Sequence, residues 1–326
     1  MKNSRQFYSP WLYRFTTLTA GATFALIFIG GLVTSTDSGL AVPDWPTSFG
    51  YNMFLYPLSK MVGGILYEHS HRLIGSVVGV LTIVLVVWFW IKEPRKWLRW
   101  LGIVALVAVI AQGVMGGLRV VLLQRALAII HACFAQAFFA LIASFVFFTS
   151  RDWREPGPEI RAVDAPRLRR LSGFTTGLIY IQLIFGAVLR HTGTRLDAHL
   201  LFAALVTIHV FLIARRVLGD YLVHKRLVRS ALTLSGLLIL QLMLGVGAFL
   251  SEFTLKETIP AVIQITISTT HVAVGALILI SSVVLTLRIY RSTGGPESIA
   301  NHEFISKEVQ HDPHDNNSIQ QSTASN

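Results

Sequence analysis

The sequence is poor in charge and nearly devoid of cysteine. Only 14% of its 326 residues are Asp, Glu, Lys or Arg, against about 25% in soluble domains. With 53% hydrophobic residues, that deficit argues against a water-soluble globule. A single cysteine, Cys133, excludes an intramolecular disulfide and any cysteine-built zinc site. Its place inside an apolar run suits a small buried residue. Acidic residues are scarce too, 17 against 28 basic ones. A basic excess can mark a nucleic-acid partner, but the distribution of the basic residues points elsewhere.

Uncharged runs cover 15–36, 73–91, 100–118, 126–150, 171–189, 198–214, 230–251 and 258–287. About 20 apolar residues carry a helix across the hydrocarbon core. The expected fold is therefore an all-α integral membrane protein with eight transmembrane helices. The sixth run is the shortest. If the N-terminus is cytoplasmic, 21 of the 28 basic residues fall on the inner side and seven on the outer. This split follows the positive-inside rule and places both termini in the cytoplasm. The basic excess is then a topology signal; membrane lipid, not nucleic acid, is the expected surroundings, and the cell membrane the expected location. The first run follows a basic stretch like a signal peptide, but its length and the lack of a clean cleavage site before Pro43 favour a spanning helix.

The chain repeats internally. Gln112-Gly113-Val114-Met115-Gly116 resembles Gln182-Leu183-Ile184-Phe185-Gly186, and Gln241-Leu242-Met243-Leu244-Gly245 is a third copy. Run one carries Gly30 in a looser version. Small residues let helices, or a flat ligand, approach closely. The sequence reads as two pseudo-repeated four-helix bundles: an N-terminal unit (1–150), a cytoplasmic linker (151–170), a C-terminal unit (171–291) and a polar, disordered tail (292–326). His302, His311 and His314 belong to that tail. The external segment 35–66, with Pro43-Asp44-Trp45-Pro46, is expected to form an ordered cap at the membrane surface.

Four histidines open the even runs. His71 lies 21 residues before Lys92, His131 20 before Arg151, His199 16 before Arg215 and His271 17 before Arg288. At about 1.5 Å per residue these depths nearly coincide. A polar ring inside a bilayer is expensive, so four at one depth imply a ligand. Imidazole suits iron, and facing helices commonly hold a haem between two histidines. The expected pairs are His71 with His131 and His199 with His271. His209 competes with His199 by spacing but lies only six residues from Arg215, too deep. It is expected to make a buried polar contact to a neighbouring Gln or Ser.

Glu68 precedes His71 by three residues, one turn away on the same face. No acid stands at that spacing before the other three histidines. A carboxylate beside a haem can act as a general base or stabilise positive charge; the plainer alternative is an acid complementing the helix dipole. His69 faces away from His71 and is expected to be interfacial. Arg72, Arg119, Arg125, Arg190 and Arg195 run against the charge bias and are candidates for haem propionates or lipid headgroups.

With these features the chain resembles the haem A synthase family of membrane proteins. The resemblance rests on the duplicated eight-helix layout, on Glu68-His69-Ser70-His71-Arg72, on the other three histidines, and on Gly39-Leu40-Ala41-Val42-Pro43-Asp44-Trp45-Pro46. It covers roughly 12–290. It implies conversion of haem O to haem A by oxidation of a ring methyl to a formyl group. It also implies that His71 and His131 face substrate haem O, with Glu68 as the reactive acid, and that His199 and His271 hold a permanent haem b. Haem O synthase is a candidate partner, and a homo-oligomer is open. The cysteine pair that some members carry in the first external loop is missing. So is the arginine that the family places after the sixth-helix histidine, because Leu200 follows His199. A diheme cytochrome b would not need Glu68 beside one ligand; a haem transporter or chaperone would fit labile ligation and a Trp-containing loop.

Overall fold

A computed structural model describes residues 9–155, 160 and 165–293. Helix α1 spans Pro10–Ser35, α2 Gly64–Lys92, α3 Lys96–Leu122 and α4 Arg125–Thr149. A short α5 (Arg151–Arg154) follows, then α6 (Ala165–Thr192), α7 (Leu196–Asp220), α8 (Lys225–Phe249) and α9 (Ala261–Ser292). All except α5 are long and apolar enough to cross a membrane, eight spans among the described residues. The protein is a multi-pass α-helical membrane protein.

Local sequence explains the helix limits. Ser9 caps α1 by accepting from Leu12 N, and Pro10 supplies a first residue with no amide to satisfy. Helix α7 reaches 25 residues, longer than its uncharged run, because Arg215 and Arg216 sit within its last turns. Long basic side chains can extend toward the interface while their stems stay in apolar surroundings. The expected linker 151–170 gives up its last residues to α6. Residues 156–159 and 161–164, and the expected tail with its three histidines from 294 onward, lie outside the described residues.

Helix α2 touches α1 and α3, and α4 touches α3 and α1, so the first four helices close a ring. Helices α6, α7, α8 and α9 close a second ring in the same sequential order. The rings meet where α1 packs on α9 and α4 packs on α6 and α9. Val78, Leu85 and Phe89 of α2 fill the first ring with Leu98, Ile142 and Phe145. Leu168, Ile213, Val217, Leu234 and Ile289 fill the second. The opposite face of α2, with Val77, Val80, Val84 and Val87, is exposed, as a lipid-facing stripe should be. Hydroxyl pairs staple the helices: Thr16 to Thr149 at 3.0 Å, Ser35 to Thr269 at 2.8 Å and Thr176 to Ser282 at 2.7 Å.

The Arg-rich end is tied by ion pairs. Buried Glu93 receives Arg95 through both oxygens at 2.7 and 2.9 Å. Asp152 of α5 accepts from Arg288 of α9 at 2.7 Å.

At the other end, the segment between α1 and α2 folds over the bundle as the expected cap. It contains a small antiparallel hairpin, Thr47–Ser48 with Tyr51–Asn52. Asp44 organises its turn, accepting from Thr47 Oγ1 at 2.5 Å, Phe49 N at 2.6 Å and Gly50 N at 2.9 Å. Burial opposes ionisation of Asp44, but the hydrogen bonds from Gly50, Thr47 and Phe49 outweigh it and hold the carboxyl below its usual 3.8. Trp45 lies flat on α3 at Gly117, where any β-carbon would collide with the indole.

Two outcomes follow for the cap. Gly117→Val should lift the Trp45 ring and speed amide hydrogen exchange across 36–63, with helix content unchanged. Because the folded-state pKa of Asp44 is lowered, its contribution is present above the ordinary carboxylate range and fades only as pH falls through the lowered value. Exchange protection of Phe49 and Gly50 should therefore survive acidification to about the ordinary carboxylate pKa, and Asp44→Asn should weaken it already at neutral pH.

Candidate functional site

The four histidines come together as two facing pairs at the capped end. His199 and His271 lie with ring centres 6.4 Å apart. His71 of α2 and His131 of α4 belong to the first ring of helices. His209 is not part of either pair. Its Nδ1 donates to the Leu205 carbonyl of its own helix at 2.8 Å, and its ring lies 5.2 Å from Phe174. The Gln or Ser partner expected from sequence is replaced by the backbone and an aromatic face.

Each ring rests against a glycine of the neighbouring helix. A β-carbon on Gly30 would come within 3.0 Å of His71 Cε1, one on Gly116 within 3.2 Å of His131, one on Gly186 within 3.3 Å of His199 and one on Gly245 within 3.2 Å of His271. The glutamine one turn earlier on the same helix supplies a polar contact. Gln112 donates to the His131 carbonyl at 3.2 Å; Gln182 lies 3.2 Å from His199 Nδ1, and Gln241 3.3 Å from His271 Nε2. The repeated Gln-x-x-x-Gly is thus a socket for an imidazole. Helix α1 has Leu26 at the glutamine position, so the His71 socket is the apolar one.

The pairs fit an iron porphyrin better than a bare ion. Nδ1 of His71, His131 and His271 is buried without a hydrogen-bond partner among the described residues. An unpartnered buried polar atom costs about 1–3 kcal/mol, a cost that a bound ligand would offset. Two donors per pair are too few for a bare ion such as zinc, which takes about four, and no cluster of three or more His, Cys, Asp or Glu occurs among the described residues. Two axial imidazoles with metal–nitrogen bonds of about 2 Å put ring centres roughly 6 Å apart. The 6.4 Å separation of His199 and His271 matches that spacing.

Glu68 sits one turn above His71 but is not a free acid. It is 4% exposed, accepts from Val42 N at 2.9 Å and pairs with Arg72 at 2.9 Å. Arg72 also donates to the carbonyls of Val42, Asp44 and Thr47 at 3.0, 2.7 and 3.1 Å. Glu68 and Arg72 therefore lock the cap above the first pair. His69 is not interfacial: it is 1% exposed, 3.1 Å from Ser48 Oγ and 5.0 Å from the Tyr56 ring. The cap covers the face of α2 on which sequence reasoning expects open membrane interface.

The outer arginines now separate by partner. Arg190 donates to Ser35 Oγ and to the Gly31 carbonyl at 3.0 Å, bridging the two rings. Arg119 lies against Gly39 of the cap. Its charge reaches Glu68, His71, His131 and His191. His191 was not singled out by the sequence; it lies in the last turn of α6 and approaches His131 from the other ring.

Residues 13–200 match the COX15-CtaA family, described as cytochrome oxidase assembly protein. The chain belongs to this family. The match takes in Glu68, His71, His131 and His199, while His271 lies beyond it. Relatives named heme A synthase are similar over part of their length. The protein of Shouchella clausii (strain KSM-K16) is 27% identical over 57% of this chain and 61% of its own. That of Lysinibacillus sphaericus (strain C3-41) is 33% identical over 52% and 55%. That of Bartonella quintana (strain Toulouse) is 25% identical over 57% and 59%. The chain thus spans a little over half the length of these relatives.

The glycine sockets make a direct prediction for this family member. Gly245→Val should push His271 out of register and lower haem content of the purified protein at the second pair. Gly236→Ala, a position in the same helix with open space around it, should leave haem content unchanged. Pyridine haemochrome quantification distinguishes the two.

Proposed function

We propose that the chain is a haem A synthase, which oxidises a peripheral methyl of haem O to a formyl group by successive hydroxylations. The observation that carries this reading is the inequality of two otherwise matching histidine pairs. Only the first has a carboxylate one turn above a ligand, an apolar socket and a folded cap. Relatives similar over a little more than half of this chain are named heme A synthase. A cytochrome that only moved electrons would have no use for that asymmetry.

In this reading His71 and His131 would hold haem O, and His199 and His271 would hold haem b. Bound haem b supplies one-electron redox chemistry beside the first pair. Residues 1–150 form the substrate unit and 171–291 the haem b unit, in a cell membrane with both termini cytoplasmic. Haem O synthase is the natural partner, since the apolar substrate would otherwise cross the lipid unaided.

The side chains divide the remaining work. Each hydroxylation replaces a methyl C–H bond by C–OH, balanced by one water consumed and by two protons and two electrons passed to an external electron acceptor; loss of water from the doubly hydroxylated carbon leaves the aldehyde. Glu68, paired with Arg72, is the side chain placed to stabilise positive charge developing on the substrate. The cap excludes bulk water from the reacting edge.

Co-expression with haem O synthase in a host lacking haem A tests the proposal. Extracted haems, separated by chromatography and weighed, should include haem A or its hydroxylated intermediate. Absence of both from folded, haem-loaded protein would sink it. Glu68→Gln keeps an acceptor for Val42 N but removes the charge. It should cut product at least tenfold, as expected for loss of one electrostatic stabiliser, while the second-pair haem spectrum persists.

A further inference from the structure

Three of the outer arginines lack what their neighbours have. Arg72 is saturated by Glu68 and three cap carbonyls, and Arg190 by Ser35 and main-chain oxygens. Arg119, Arg125 and Arg195 make no side-chain hydrogen bond or ion pair among the described residues, and of the three only Arg119 is withdrawn from the surface. Arg119 is half-buried in the last turn of α3. Its guanidinium lies on the backbone of Gly39, whose missing side chain is what admits it. Arg125 opens α4, and both charges reach His191. Glu68 is the acid within reach of Arg119, and Arg72 already neutralises it. A half-buried guanidinium without a counter-ion is costly, and its planar fork matches a carboxylate.

We propose that Arg119, one turn after the Gly116 on which His131 rests, binds a carboxylate side chain of the tetrapyrrole held between His71 and His131. The proposal rests on the reading that this pair takes the substrate. Its consequence is orientational. Two axial bonds leave a planar ring free to rotate about the iron, so they do not choose which peripheral methyl meets Glu68. A carboxylate anchor on one edge stops that rotation and makes Arg119 a specificity-determining residue.

The test is a binding titration. Protein purified from a host making no haem O is titrated with protohaem and with protohaem dimethyl ester, followed by visible absorption and tryptophan quenching. The free acid should bind at least about tenfold more tightly than the ester, in line with one charge-assisted contact. Arg119→Gln should bring the acid down to the ester's affinity and leave the ester unchanged; Arg119→Lys should recover part of the preference. Gly39→Val, which displaces the guanidinium while keeping its charge, should resemble Arg119→Gln. The haem spectrum of the second pair reports that each variant is folded. Equal affinity for acid and ester in the unaltered protein, or a preference undiminished in Arg119→Gln, would overturn the proposal. The double variant His71→Ala/His131→Ala should lose both ligands; if it keeps them, the substrate-pair reading fails instead, whatever the ester comparison shows.

Discussion

An imidazole inside a helical bundle needs room and polar company, and here both come from the adjoining helix. Glycine at 30, 116, 186 and 245 lets each ring lie against backbone, and glutamine one turn earlier meets three of the four. Everything else at this end is arranged around those contacts. The helices must approach closely enough for ring and glycine to touch, which sets their spacing near the capped end. In the second ring of helices this leaves the His199 and His271 rings 6.4 Å apart. Without the glycines the same histidines would be pushed apart, and no axial pair could form.

The two pairs share this construction and differ in what surrounds it. Around His71, the socket is apolar, Glu68 stands one turn above, and the cap is clamped down by Arg72. Around His199 and His271, two glutamines lie close to the rings and no cap of comparable size is present among the described residues. Under the proposed function, this is the difference between a site that admits and orients a substrate and one that keeps a cofactor. The cap's fixation by ion pair, backbone hydrogen bonds and an indole lying on Gly117 places it among the ordered parts of the protein.

The halves are not independent. Arg190 reaches from α6 to α1, Ser35 bonds Thr269, and His191 enters the neighbourhood of His131. Those polar contacts sit in a seam that is otherwise apolar, with Ile27, Phe139 and Ala276 at its centre. Hydrogen bonds in such surroundings contribute modestly to association, but they fix register, and register decides which side chains of one ring of helices overlook the other.

Much of this was legible in the sequence because its signals are local. Uncharged runs become spans whatever their neighbours, since no water is available to an unfolded backbone in lipid. The depth of each histidine follows from helical rise, and the recurrence of Gln-x-x-x-Gly is visible by inspection. The choice of His199 over His209 rested on depth alone and agrees with where His271 lies. What only the tertiary structure decided concerns partners distant along the chain. That Glu68 is bound to Val42 and Arg72, that His69 lies under Ser48 and Tyr56, and that Arg190 is consumed while Arg119 is not, all depend on a loop folding back and on two helical rings meeting. Pairing across such distances is set by shape and by competition among similar charges, and no periodicity in one dimension encodes the outcome.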